Sequence, residues 1–551
     1  MASRIGLIAG PLLALLTWIL LVTADLSMPP AASATAAVSV LMAIWWMTEA
    51  IPLAATALLP LVLFPLTGVY RSDLQEGDAV VIRQAETGEM AEGTVASFTD
   101  DQVMVRTSEG SGPFPRHQLQ VLKKPRPIQQ AASPYASRFV FILMGGFMIA
   151  LGIQHWGLHR RIALMTVLSV GTQPRRLIAG FMLATAGLSM WISNTATTAM
   201  MLPIAISVVA LLRGSFKKVA GEEGDPAGNF ASCLMLAVAY SASIGGLGTL
   251  IGTPTNLFMA SVLEDAGQPV SFGRWMLMAM PLVIALLLVC WWYLTRIALP
   301  IGVEEIPGGR ELIRGQLVSM GSMSRGEWTV LVIFLSTALA WMFRRPLTEW
   351  TWLVDRVPAI GRLDDAIIAM AGALVMFIVP VNWKERVFAL NWEGVKDLPW
   401  GVLILFGGGL SLAAAVNSSG LGQAICQLVV KASFGSTLLL VMISTVMVIF
   451  LTELASNTAA ASLTLPILAA AAAGFSSDPS LVWLVVIPAG LASSCAFMLP
   501  VATPPNAIVF ASGELRISQM VKAGIGLNLL AIIVIPLYVW LLVSQFGMGG
   551  G

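Results

Sequence analysis

The stretch Ser189-Met190-Trp191-Ile192-Ser193-Asn194-Thr195-Ala196-Thr197-Thr198-Ala199-Met200-Met201-Leu202-Pro203-Ile204 has a second, altered copy at Thr452-Glu453-Leu454-Ala455-Ser456-Asn457-Thr458-Ala459-Ala460-Ala461-Ser462-Leu463-Thr464-Leu465-Pro466-Ile467. In both copies a hydroxyl residue stands four positions before Ser-Asn-Thr, and Leu-Pro-Ile begins nine positions after that serine. Each polar cluster lies between strongly apolar arms. The pair reads as two hairpins, over 174–213 and 436–474, that each enter and leave a membrane by the same face, one from each side.

The surrounding chain supports a membrane setting. With 57% hydrophobic and 11% charged residues in 551, it carries more apolar side chains than a soluble core can bury. It reads as an all-α polytopic membrane protein. A formal net charge of +1 gives no electrostatic case for nucleic acid or another polyanion. Cys233, Cys290, Cys426 and Cys495 are far apart and form no Cys-x-x-Cys, so buried structural thiols are expected rather than a disulfide framework or a zinc site.

A helix needs about twenty apolar residues to cross a bilayer. Eleven segments qualify: 5–23, 33–49, 51–69, 136–154, 230–263 with a break, 273–297, 327–343, 364–381, 399–416, 481–512 with a break, and 522–545. The two hairpins come in addition. The first apolar run exceeds the core of a signal peptide, about 7 to 15 residues, and is expected to remain as the first span. Placing the N-terminus in the cytoplasm gathers Arg160, Arg161, Arg213, Lys217, Arg310, Arg325, Lys396 and Arg516 on that side, in an inner (plasma) membrane.

Residues 71–130 differ from everything around them. The runs 77–82, 93–98, 101–106 and 118–122 alternate with period two between Gly, Asp and Pro signals, which predicts a small SH3- or KOW-like β-barrel on the periplasmic side. His117, Lys123, Lys124 and Arg126 read as its solvated face and linker. The chain then divides into scaffold helices at 1–70, the insert at 71–130, a scaffold helix and interfacial segment at 131–172, a first transport repeat at 173–300, further scaffold at 301–435, and a second transport repeat at 436–551.

Each hairpin is followed by a second interruption. The first is Ser243-Ile244-Gly245-Gly246-Leu247-Gly248-Thr249-Leu250-Ile251-Gly252-Thr253-Pro254-Thr255-Asn256, and the second is Ser493-Ser494-Cys495-Ala496-Phe497-Met498-Leu499-Pro500-Val501-Ala502-Thr503-Pro504-Pro505-Asn506. Both contain Thr-Pro-x-Asn. Proline removes an amide donor and glycine loosens a helix, so both spans should unwind near mid-membrane, where protein or a watery cavity must satisfy the backbone. Freed carbonyls suit a small hard cation, and half-helix N-termini suit an anion. Neither tip nor break contains Lys or Arg, so a bound anion would have to be offset by co-bound cations and amide dipoles. A single cluster of this kind would be ordinary helix packing, but matched duplication argues for a site.

The paired Ser-Asn-Thr and Thr-Pro-x-Asn motifs resemble the divalent anion/sodium symporter family, especially its bacterial sodium-coupled dicarboxylate transporters. Trp45-Trp46-Met47-Thr48-Glu49-Ala50-Ile51-Pro52, Gly145-Gly146-Phe147, Leu158-His159-Arg160-Arg161 and Leu405-Phe406-Gly407-Gly408-Gly409 agree with it, and the likeness covers the chain outside 71–130. The resemblance implies an elevator-type homodimer with two inverted repeats that imports small dicarboxylates such as succinate, malate or fumarate with co-transported sodium. It implies a first sodium site at Ser189, Ser193, Asn194 and the Gly252 backbone, and a second at Thr452, the Ala455 backbone, Asn457 and the Ala502 backbone. Substrate carboxylates would meet Asn194, Thr195 and Thr253 from one repeat and Asn457, Thr458, Thr503 and Pro504 from the other. The hydroxyls of Ser189 and Thr452 fit sodium-coupled members better than a sodium-independent exchanger of the same fold. The inserted β-domain departs from the family pattern.

Glu453, just before the second tip, reads either as a tuner of cation binding and proton carrier or as a hydrogen-bonded structural residue. Glu49, near Pro52, reads as an anchor for a tight turn. Transport of citrate, tartrate or sulfate is the nearest alternative, and a membrane sensor or scaffold with a periplasmic binding domain is an alternative of another class. No His-Glu-x-x-His, Gly-x-Ser-x-Gly or paired catalytic carboxylates suggest an enzyme. His155 and His159, four apart, have helical ligand spacing but adjoin Arg160 and Arg161, which favours an interfacial segment.

Overall fold

A computed structural model of the chain describes residues 2–24, 28–70, 79–83, 90–98, 102–107, 110–115, 119–121, 126–171, 173–216, 226–301, 308–431, 436–476, 478 and 480–546. Among them eleven helices are long and apolar enough to span a bilayer, as expected of a multi-pass membrane protein. The membership of that set differs from the sequence expectation. The hairpin arms Asn194–Leu211, Thr437–Leu454 and Asn457–Phe475 reach spanning length, whereas three expected spans do not. Residues 51–69 form only Leu53–Thr56 and Leu59–Leu66, interrupted by prolines. Asp365–Ile378 has 14 residues, about 21 Å of helix, and Ser480–Ala492 has 13. Hydropathy alone does not mark where a helix inside an apolar run begins and ends, so these helices are shorter than the runs that hold them.

The two repeats share one element order. The first runs Pro174–Ser189, a tip, Asn194–Phe216, Pro226–Gly246, a break, Pro254–Asp265 and Phe272–Tyr293. The second runs Thr437–Leu454, a tip, Asn457–Phe475, Ser480–Ala492, a break, Pro504–Phe510 and Ile517–Phe546. In both, proline opens the half-helix after the break, at a position where its missing N–H costs nothing. The preceding threonines take nearly the same extended backbone, with φ, ψ of −141°, 141° at Thr253 and −139°, 148° at Thr503.

The repeats interlock. Pro254–Asp265 packs on the second hairpin's arm Asn457–Phe475, while Pro504–Phe510 packs on the first hairpin's arm Asn194–Phe216. Around them, Trp400–Ser418 carries the Gly407-Gly408-Gly409 run past other backbones. A Cβ at Gly408 would come within 2.3 Å of the Ala57 carbonyl oxygen, and one at Gly409 within 2.4 Å of Ser462 Oγ. Only glycine permits that approach. The helix Leu158–Val170 is pinned by a buried ion pair, Arg161 Nε to Glu327 Oε1 at 2.6 Å, and by Arg161 donating to the Gly321 carbonyl. Glu49 caps Pro30–Thr48 in left-handed conformation at φ 46°, and its amide donates to the Trp45 carbonyl.

The insert holds a five-stranded antiparallel sheet in the spatial order Gly110–Pro115, Gln102–Thr107, Met90–Phe98, Ala79–Arg83, Leu119–Val121. Val103 and Val105 are buried while Arg106 is exposed, the alternation expected of a half-buried strand. Four strands were expected. The fifth, Gly110–Pro115, reads Gly-Ser-Gly-Pro-Phe-Pro, a composition that signals a turn and is tolerated here because it lies at the sheet edge. Among the described residues no pairing joins the first and last strands of this order. His117, Lys123 and Lys124 lie outside the described residues. Arg126 leads directly into the helix Pro127–Ala132, whose Ala131 is buried and whose carbonyl accepts from Ser411 Oγ at 2.9 Å.

Candidate ligand site at the tips and breaks

In the first repeat the arm Pro174–Ser189 ends one turn before the tip, which brings Ser189 back toward Asn194. Ser189 Oγ, fully buried, lies 2.6 Å from Asn194 Oδ1 and 2.8 Å from the Ala242 carbonyl oxygen. One hydroxyl proton can serve only one of these acceptors, so three oxygens share a single proton between them. Such a cluster offers oxygen lone pairs of the kind a small hard cation takes. Gly246 and Gly252 let the break close over it. A Cβ on Gly246 would come within 2.6 Å of Asn194 Oδ1, and one on Gly252 within 2.4 Å of the Gly246 carbonyl oxygen.

The second repeat builds the same cluster from different residues. Thr452 Oγ1 lies 2.8 Å from Asn457 Oδ1 and 2.7 Å from the Ser493 carbonyl oxygen. Ala455, in extended backbone, and Ala502 are both buried. Ser193 and Ser456 match as well. Each caps its second arm, accepting at Oγ from the Ala196 and Ala459 amides respectively, both at 3.3 Å. The Ser193 hydroxyl thus spends one lone pair on its own helix and keeps its proton and second lone pair.

The residues expected to meet substrate divide by exposure. Thr253, Thr458 and Thr503 are buried, Asn194 and Asn457 are half-buried, and Thr195 and Pro504 are exposed. Thr503 Oγ1 accepts from the Asn506 amide at 3.3 Å as a helix cap. Thr253 Oγ1 instead pairs with Thr255 Oγ1 at 3.2 Å, and Thr255 Oγ1 is 2.7 Å from Ser494 Oγ in the opposite repeat. A second bond between repeats runs from the Tyr240 hydroxyl to the Phe497 carbonyl at 2.6 Å. The tips and breaks of both halves thus converge on one region.

Asn256, Asn506 and Thr249 matter here and had no assigned role from sequence. Asn256 Nδ2 donates to the carbonyls of Gly246, Leu247 and Thr249, at 3.0, 3.3 and 2.7 Å, and Asn506 Nδ2 donates to those of Ala496 and Leu499, at 3.2 and 3.0 Å. These amides tie each unwound stretch to its own half-helix, and the repeated Thr-Pro-x-Asn was the signal for them. Glu453 Oε1 accepts from the Phe497 and Met498 amides and from Asn528 Nδ2, at 2.7, 2.9 and 2.7 Å, while Oε2 accepts from the Leu499 amide at 3.1 Å. Every one of those partners is a donor, so the geometry matches a carboxylate that holds the second break in shape. In the first repeat Met190 stands at the matching place. There Thr249 does the bracing, donating to the Met190 carbonyl and accepting from the Gly252 amide at 3.1 Å.

Elsewhere, His159 Nδ1 pairs with the Ile153 carbonyl at 3.0 Å and His155 packs edge-on against Trp156. Among the described residues no three His, Cys, Asp or Glu side chains are grouped to hold a metal. Cys233, Cys290 and Cys495 are buried free thiols.

Fold and site geometry together define a class: a multi-pass membrane protein in which two interlocked repeats of hairpin and broken helix bring their tips and breaks together. The chain belongs to the family described as the sodium:sulfate symporter transmembrane region, whose model matches residues 6–546. It is 36% identical to a Staphylococcus saprophyticus protein named sodium-dependent dicarboxylate transporter SdcS, over 98% of this chain and 91% of that one. A Staphylococcus aureus protein of the same name is 35% identical, over 97% and 90%. The crystal structure of the Alcanivorax borkumensis YdaH transporter shares the fold, with a TM-score of 0.52 at 17% identity, covering 90% of this chain and 99% of that one.

Proposed function

We propose that this protein is a sodium-coupled symporter that imports small dicarboxylates of the succinate, malate or fumarate type. The observation that carries the reading is the duplicated oxygen cluster, Ser189–Asn194–Ala242 and Thr452–Asn457–Ser493, beside tips and breaks that contain no Lys or Arg. A dianion placed there is stabilised only when cations enter with it. Sodium, as cargo, would occupy the two clusters with Ser193 and the Gly252, Ala455 and Ala502 backbones. The carboxylates would meet Asn194, Thr195 and Thr253 on one side and Asn457, Thr458, Thr503 and Pro504 on the other. The names of the relatives support both cargoes.

The interlocking of the two repeats supports their movement as one body, the transport unit of an elevator, against scaffold helices at 1–70, 131–172 and 301–435. A homodimer, inverted repeats, a cytoplasmic N-terminus in the inner membrane and a periplasmic insert complete the reading. Nothing in it requires catalysis. Sulfate is the second cargo to weigh, because the family description names it. The deciding experiment is uptake of labelled succinate into proteoliposomes with sodium or choline outside, challenged by malate, citrate, tartrate and sulfate. Uptake is expected only with sodium and is displaced by C4 dicarboxylates; equal uptake in choline would overturn the proposal.

A further inference from the structure

Where the two breaks are aligned on Thr253 and Thr503, they differ at two places that touch each other. The first reads Thr253-Pro254-Thr255-Asn256 and the second Thr503-Pro504-Pro505-Asn506, so a hydroxyl stands in one repeat where the other has proline. The same alignment sets Ser494 against Ile244. A hydroxyl found only in the first repeat meets one found only in the second: Thr255 Oγ1 and Ser494 Oγ are 2.7 Å apart, and both side chains are fully buried. Neither belongs to the oxygen clusters, yet each is chained to one. Ser494 follows Ser493, whose carbonyl oxygen faces Thr452 at 2.7 Å. Thr255 pairs with Thr253 at 3.2 Å, and Thr253 follows Gly252, which packs on the Gly246 backbone that in turn lies against Asn194 Oδ1.

We propose that the Thr255–Ser494 hydroxyl bridge couples the two cation clusters, so that filling one orders the break that completes the other. Thr255 and Ser494 are positioning residues. Ordering an unwound segment has an entropic cost, and a bridge that fixes both breaks together lets the second cation bind to a segment already ordered. Coupling of this kind raises the affinity of each site for its ion by the same factor, commonly about 5-fold or more. It makes the dependence of transport on sodium steeper than that of two independent sites. The inference rests on the assignment of sodium to the two clusters.

The test uses full-length protein in proteoliposomes, with succinate uptake followed against sodium concentration for Thr255→Val, Ser494→Ala and the double variant. The expected result is a Hill coefficient for sodium falling toward one and a half-saturating sodium concentration rising about 5-fold, with the maximal rate at saturating sodium kept within about twofold. The double variant should match the single ones, because a bridge lost once cannot be lost again. Thr255→Ser, which keeps the hydroxyl, should restore the steepness and separates coupling from mere packing. Unchanged steepness, additive effects in the double variant, or a fall in maximal rate alone would each overturn the coupling. Ser189→Ala and Thr452→Val run alongside. If these leave the sodium dependence untouched, the site assignment itself fails; if they shift it and the bridge variants do not, only the coupling fails.

Discussion

The first break is sealed and the second is open. Ile251 is 5% exposed and Val501, its counterpart 250 residues on, is 82% exposed. The bracing differs in the same sense. A neutral hydroxyl, Thr249, holds the first stretch within a core where every residue from 241 to 253 is buried, whereas a carboxylate, Glu453, gathers three backbone amides and Asn528 in the second. Packing can hold a buried segment in one conformation. A segment that is partly exposed has fewer of those contacts, and charge-assisted hydrogen bonds take their place. One ancestral pattern thus stands in two physical forms, one kept in shape by its surroundings and the other by an ion.

If both halves supply ligands, loss of either amide should be equally severe. Asn194→Ala and Asn457→Ala are each expected to lower sodium-driven uptake by about 100-fold or more, since each removes contacts to charged groups worth about 3 kcal/mol. Wild-type uptake by one variant alone would mean that a single repeat carries the site. The bracing predicts unequal costs next. Glu453→Ala leaves three amides and Asn528 Nδ2 without their acceptor and is expected to destabilise the detergent-solubilised protein by about 3 kcal/mol, against about 1 kcal/mol for Thr249→Val. Thermal unfolding of the two variants would check this, and equal shifts would dissolve the distinction.

Exposure makes a smaller but more direct claim. With Cys426 replaced by serine, Val501→Cys should react with a water-soluble thiol reagent about tenfold faster than Ile251→Cys, because reaction requires access to the sulfur. Sodium plus succinate should slow it. The smallest effect is expected from the insert. Replacing 72–125 by a short Gly-Ser linker, with Pro127–Ala132 retained because it packs under Ser411, should leave uptake within about twofold of wild type.

Much of this was legible from the chain alone because it rests on local signals. Composition and the apolar runs define a membrane protein, and the repeated Ser-Asn-Thr and Thr-Pro-x-Asn locate both tips and both breaks. At 51–69, 364–381 and 481–512 the helices are shorter than the expected spans, because hydropathy reports the cost of meeting water and not where a helix starts and stops. The edge strand Gly110–Pro115 was missed because its residues signal a turn, and only the adjoining strand supplies its hydrogen bonds.

The sequence by itself determined the membrane fold, the duplication and the uncharged chemistry of the tips, since these follow from side-chain type and spacing along a few turns. Tertiary structure alone decided what Glu453 does, by bringing it amides 44 to 46 positions away and an asparagine 75 away, and which hydroxyls of the two halves meet. A side chain carries its donors and acceptors wherever it stands, but its partner is chosen by how distant helices pack.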